Sequence, residues 1–431
     1  MTNIRRSPAA DERGAVLVHV AVAMLALIAF SSLAVDYGAL WVSRRQAQNS
    51  ADAAALAGAL SLAFDDPDDI ARAQATAAAA GVANQVWGAA PSILPATDVL
   101  LVPCPLGAPG VPDTCIRANV VRSAARANAL PTYFAQIMGI TSQDVRATAT
   151  AQVETGNAAE CMKPWAIADK WHENWENKKA ATAPWTPAST FDKYEKKGND
   201  WVPDPTVITP DVYTAPSAND PGTGFTPFDD NGDPTADYGL QMTLKIGASE
   251  NRLSPGWFLA LDLPNPDCGG GGSCYRENIK SCQPNTYAIG ETLAIESEQG
   301  NMIGPTKQGV AGGGPGGLSL LEQDPGASWN ASTKSIQGSC APGVCADGQY
   351  HARSPRIVAV PLFDIDAFFQ GSPTGKTSIT ITNIMGFFIE GMGGSGGKDV
   401  LGRLVAIPGV TKGAGSIDDT ASFMRKVLLV R

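Results

Sequence analysis

Three sets of residues in this chain have the types and spacing to do chemistry. Asp229, Asn231 and Asp233 alternate in the run FDDNGDP, which puts three oxygen donors on one side of a tight loop, as hard Ca²⁺ prefers. The EF-hand pattern fails here, because Pro234 stands where Gly is required and Leu240 where Glu is required. A turn built by Asp, Asn and Gly is the commoner origin of such a run. Calcium is therefore the one cofactor the sequence raises, with Asp237 as a further ligand. The second set is eight cysteines, Cys104, Cys115, Cys161, Cys268, Cys274, Cys282, Cys340 and Cys345. An even count of this kind predicts disulfides in an oxidising compartment. Spacing leaves the connectivity open. Cys104–Cys115 and Cys340–Cys345 are attractive local pairs closing Pro/Gly-containing loops, Cys268–Cys274 brackets GGGGS, and Cys161–Cys282 closes a longer loop. Zinc is disfavoured by the lack of a CxxC pair and by only three histidines. The third set is Trp165, Trp171, Trp175, Trp185 and Trp201, which either stack on sugars or plug a loop-rich core; the second is the commoner use.

No catalytic constellation stands beside these. His19 lies in an apolar run, His172 among the tryptophans and His351 in a loop, so no serine or cysteine has a placed base. The glycine runs at 269–272 and 309–317 read as flexible loops, and neither joins a strand to a Gly-Lys-Ser/Thr helix start. A formal net charge of −10 argues against nucleic acid as a partner. The expectation is a non-enzymatic protein that acts by contact.

What must position these groups starts with residues 15–35, AVLVHVAVAMLALIAFSSLAV, 21 residues without a formal charge. A helix of that length covers about 30 Å, the hydrocarbon thickness of a bilayer, and satisfies its own backbone polar groups there. A cleaved signal peptide has a shorter apolar region, roughly 7–15 residues. Arg5, Arg6 and Arg13 precede the run, so the positive-inside rule puts residues 1–14 in the cytoplasm and the body on the far side, in the periplasm or at the cell surface. Tyr37 and Trp41 fall where interfacial aromatics belong.

Beyond the anchor the sequence predicts an α+β protein. An Ala-rich helix continues to about residue 62, and its small face (Ala47, Ser50 or Ala51, Ala54, Ala55, Gly58) suits a neighbouring helix of the same chain or a second copy in a homo-oligomer. A helix over residues 70–84 capped by Asp68, strands over 116–122 and 145–153, and a short helix over 130–139 complete a small α+β module within residues 36–155. Residues 166–179 read as a charged helix. Strands over 238–246, 256–263, 356–363, 378–384, 386–391 and 403–407, with an edge strand over 424–430, make residues 156–431 a β-rich, loop-heavy, disulfide-containing domain.

Arg13-Gly14, the apolar run, and then AVDYGALWVSRRQAQNSADAAALAGAL resemble the N-terminal segment of TadG-like proteins of the Flp (tight adherence) pilus assembly system. The resemblance spans about residues 13–62. It implies a bacterial envelope protein engaged in pilus assembly or adhesion, whose partners are the lipid bilayer and other pilus-assembly envelope proteins. Two departures stand out. Pilin-like members carry Glu at the fifth position after the processing glycine, where this chain has His19 after Gly14. Some relatives carry a von Willebrand A metal site of the form Asp-x-Ser-x-Ser, but after the apolar strand ending at Asp262 this chain continues Leu263-Pro264. The other reading is a membrane-tethered adhesin that binds calcium or glycans and is unrelated to pili.

Overall fold

The computed structural model describes residues 13–65, 69–104, 114–174, 184–198, 200–229, 235–246, 252–295, 302–339, 354–370, 377–413 and 415–430. The fold is α+β. One helical path runs from Arg13 to Phe64: an α-helix Arg13–Ser31, a π-turn Ser32–Asp36 and an α-helix Tyr37–Phe64. Its first part is exposed on all sides and its second part is embedded. The switch follows composition: large aliphatic residues before Asp36, and small residues on a recurring stripe after it.

That stripe of small residues is filled within the chain. A second helix, Ile70–Ala83, crosses it closely. A Cβ placed on Gly58 would sit 3.1 Å from the Ala77 Cβ, and one on Gly81 would sit 3.1 Å from the Ala54 Cβ. Ser50 donates its hydroxyl to the Gly81 carbonyl at 2.7 Å, closing the crossing with a polar bond. The cap of the second helix is Asp69, whose carboxylate accepts the Arg72 N–H at 3.0 Å; the expected cap, Asp68, lies outside the described residues.

Both helices lie against a five-stranded sheet ordered Val99–Pro103, Thr114–Arg122, Val145–Thr155, Met424–Val430, Ile407–Pro408. Alternate residues Ile116, Ala118 and Val120, with Val145, Ala149 and Ala151, join Ala47, Ala51, Ala54 and Ala55 in one core, as the two-residue period of a strand requires. Met424–Val430 pairs antiparallel with Val145–Thr155 on one side, and on the other only Met424 and Arg425 are paired, in parallel with Ile407–Pro408, so the strand is an edge along the rest of its length. The strand Met424–Val430 therefore lies in the sheet that the helix Tyr37–Phe64 packs on.

The larger sheet is ordered Thr292–Ala294, Ser378–Gly393, Ile357–Phe363, Trp165–Ala168, Trp257–Ala260, Gln241–Ile246, Asp399–Val405. It closes on itself, because the 16-residue strand Ser378–Gly393 pairs with Ile357–Phe363 through one half and with Asp399–Val405 through the other. One face carries Trp165, Ile167, Phe258, Ala260, Val358 and Val360, and is covered by Tyr275, Ile279 and Val310. The other carries Ala166, Ala168, Leu259, Leu261 and Ala359, with Trp171 and Phe191.

Several local expectations are corrected here. Residues 165–168 form a fully buried strand at the centre of this sheet, where the start of a charged helix was expected. The stretches 378–384 and 386–391 are one bent strand. Gly271–Lys280 and Ile303–Ala311 are helices although they overlap runs read as flexible glycine loops. Two disulfides staple the first of these helices: Cys268–Cys274 at its start, and Cys161–Cys282 just past its end. A third, Cys104–Cys115, ties the strand pair Val99–Pro103 and Thr114–Arg122. Cys340 and Cys345 lie outside the described residues.

Candidate functional site

The apolar helix and the folded body meet at Asp36, the last residue of the π-turn. Its side chain is buried, with the residue 5 % exposed. The carboxylate accepts three successive backbone N–H groups of another segment: Tyr133 at 2.8 Å, Phe134 at 3.1 Å and Ala135 at 2.7 Å. These are the orphan donors at the start of the 3₁₀ turn Ala135–Met138, so the carboxylate works as a cap supplied from a helix about 100 positions away. Gly139 ends that turn at φ +83°, a conformation that glycine takes without strain. Leu130–Pro131 and Ser142–Gln143 pair to close the loop at its base. The short helix expected over residues 130–139 is thus a hairpin with a 3₁₀ tip.

Neighbouring contacts fix the junction over the next three turns of the helix. Gln46 accepts the Trp87 N–H at 2.7 Å through Oε1, and the Trp87 indole donates to the Tyr133 hydroxyl at 3.1 Å. Ser43 is buried and returns its hydroxyl to the Ala39 carbonyl at 2.7 Å. Arg126 forms a bidentate pair with Asp98, whose carboxyl lies below the ordinary carboxylate range because the Arg126 and Leu94 hydrogen bonds outweigh burial. Arg45 stacks over Trp41 at 5.0 Å from the ring centre. The result is a helix that leaves an exposed apolar stretch and is locked at once to the body. Of this junction the sequence indicated Tyr37 and Trp41, but not the role of Asp36 as an acceptor.

The other sequence-predicted residues are placed as follows. Asp229 is exposed, while Asn231 and Asp233 lie outside the described residues. Asp237, expected as a further calcium ligand, is buried and committed elsewhere: it pairs with Lys170 Nζ at 2.8 Å and accepts the Thr226 N–H at 3.0 Å. Among the described residues no group of three or more His, Cys, Asp or Glu side chains could hold a metal ion. Trp165 and Trp171 are buried, and the Trp171 ring meets Trp185 at 6.1 Å and Phe191 at 5.4 Å edge-on. These tryptophans are core packing; Trp175 lies outside the described residues.

A cleft of about 680 Å³ opens beside Lys170, His172, Trp185 and Asp237, next to two stretches outside the described residues. Two perturbed carboxyls lie near it. Burial pushes Asp169 up to about 6, against hydrogen bonds from the Phe225 and Lys170 N–H groups and the Tyr213 hydroxyl. Burial likewise pushes Asp211 up to about 7, with Asp192 adding repulsion. Asp211 and Asp192 each accept the other's backbone N–H, at 2.8 and 2.9 Å, which ties two loops together. That geometry is structural bracing: both oxygens of Asp169, both of Asp211 and Oδ1 of Asp192 are met by backbone N–H groups or the Tyr213 hydroxyl of the body itself.

The fold and the junction define a class: an α+β body carried on a helix long and apolar enough to cross a membrane. Residues 14–61 match a family described as putative Flp pilus-assembly TadE/G-like, and that span is nearly the whole helical path through Asp36 and the small-residue stripe. No curated protein and no solved structure is found to match the chain.

Proposed function

We propose that this chain is a single-pass envelope protein of a Flp/Tad-type pilus system, working by protein contact and without catalysis. Its N-terminus lies in the cytoplasm and its disulfide-containing body is exported. The observation that carries the reading is the coincidence of the family match, residues 14–61, with the helix that ends in the Asp36 lock. A stretch shared with a pilus-assembly family is thus the stretch that joins apolar helix to body. The arrangement suits a scaffold: force or position is passed along one helix into the five-stranded sheet it packs on. Orientation follows from Arg5, Arg6 and Arg13 on the short side. Three disulfides fit an exported body.

The test is co-purification of the full chain from detergent-solubilised envelopes, followed by mass spectrometry. Recovery of other Flp/Tad assembly proteins is the expected result. Their absence, together with calcium or glycan binding by the purified chain, would replace this reading with that of an independent adhesin.

A further inference from the structure

The hairpin held by Asp36 has a tip whose large apolar side chains stand exposed among the described residues. Ile137 is 65 % exposed, Met138 68 %, Ile140 50 % and Tyr133 51 %. Residues 127–143 contain no Asp, Glu, Lys or Arg at all. A charge-free segment with three large aliphatic side chains turned outward is costly to leave in water.

Its position says what covers it. From Val16, about 20 helical residues are needed to cross the roughly 30 Å hydrocarbon layer. That count ends at Asp36, the residue whose carboxylate grips the amides of Tyr133, Phe134 and Ala135. The tip is therefore fixed at the level where the helix leaves the bilayer. Tyr37 and Trp41, 60 % and 53 % exposed, stand at that same level, with exposed Arg44 and Arg45 one further turn along the helix. Aromatic residues followed by arginines are the pattern of a headgroup region.

We propose that this hairpin is a second membrane contact, with Ile137, Met138 and Ile140 inserted at the headgroup–acyl boundary of the bilayer that holds the helix. The inference rests on the single-pass reading above. With helix and hairpin both engaged, the body has two attachment points. Rotation about the helix axis and tilting are then restrained, and one face of the body is presented outward.

The test uses the full chain in vesicles of phosphatidylethanolamine and phosphatidylglycerol, with Met138→Cys, Ile137→Cys or Leu25→Cys each labelled with an environment-sensitive NBD fluorophore. The wild-type chain taken through the same labelling sets the background. Nitroxide lipids, labelled either shallow or near the bilayer centre, report depth. The proposal expects blue-shifted emission at positions 137 and 138, quenched more by shallow nitroxides, and the reverse depth preference at position 25. Quenching at 25 with none at 137 and 138 overturns the second contact and leaves the anchor standing. Blue-shifted emission at 137 and 138 that no nitroxide quenches means that protein covers the tip, and also overturns it. Absence of quenching at all three positions overturns the anchor itself, and the second contact with it.

Discussion

Replacing Asp36 by Ala removes one buried carboxylate and leaves three successive amides, those of Tyr133, Phe134 and Ala135, without their acceptor. A hydrogen bond to a charged group contributes about 1.5–3 kcal/mol, and contributions sharing one acceptor do not add in full. The hairpin keeps its Leu130–Gln143 pairing, and Trp87 still reaches Tyr133, so the body should stay folded while the tip opens. A loss of about 3 kcal/mol for the docked tip corresponds to a roughly 100-fold rise in its opening equilibrium. Hydrogen exchange on the full chain in detergent micelles, read peptide by peptide, measures this directly. The Asp36→Ala variant should exchange the 133–135 amides faster by about that factor, with strands such as Val145–Thr155 unchanged. Asp36→Asn keeps one acceptor oxygen and should fall between. Unchanged protection of those amides in the Ala variant would refute the capping role of Asp36.

Three other changes have expected outcomes. Gly58→Val places a Cβ 2.5 Å from the Ile116 Cδ1 and against Ala77, an overpacking that should cost about 1–3 kcal/mol and lower the thermal midpoint; an unchanged midpoint would show that the two helices part easily. The Cys161→Ser/Cys282→Ser pair opens a crosslink of sequence separation 121, for which loop entropy gives about 4–5 kcal/mol, seen as a lower urea midpoint under oxidising conditions. Lys163 is buried with its ammonium on the Asn278 and Ser281 carbonyls, at 3.3 and 2.8 Å, and desolvation pushes it down to about 7. Between about pH 7 and its unfolded value of 10.5 the unfolded chain binds more protons. Stability should thus rise with pH through that window, by at most about 1.4 kcal/mol per unit. Lys163→Met should remove that slope, and equal slopes in the two proteins would contradict the burial argument.

The parts of the fold that were legible are those in which one local pattern decides. The apolar run, the Ala-rich stripe and the alternation in Ile116–Arg122 and Val145–Val153 each have a single period and a single partner surface. Parts set by distant partners were not legible. Trp165–Ala168 is flanked by Lys and Asp, so its local charge suggests a helix end, but it pairs with Ile357–Phe363 and Trp257–Ala260 on its two sides and the Tyr275 hydroxyl accepts the Trp165 indole N–H in the core. Gly271–Lys280 opens with glycines that favour no helix, and two disulfides hold it. Asp36 is the first charge after the apolar run, yet its three donors lie about 100 residues away and have no sequence signature. The closed sheet depends on one strand serving two partners, a matter of register that alternation cannot report.

Piliation of a cell that carries this chain together with a Flp/Tad system decides whether the chain serves pilus assembly. The gene would be deleted, and then restored as wild type or with Leu25→Asp/Leu27→Asp. Two charges at mid-bilayer cost about 2.5–3.5 kcal/mol each on insertion scales, enough to release the body from the membrane. Surface pili should be lost on deletion, return with the wild-type chain and stay absent with the charged variant. Normal pili in the deletion strain, or full rescue by the charged variant, would contradict that role.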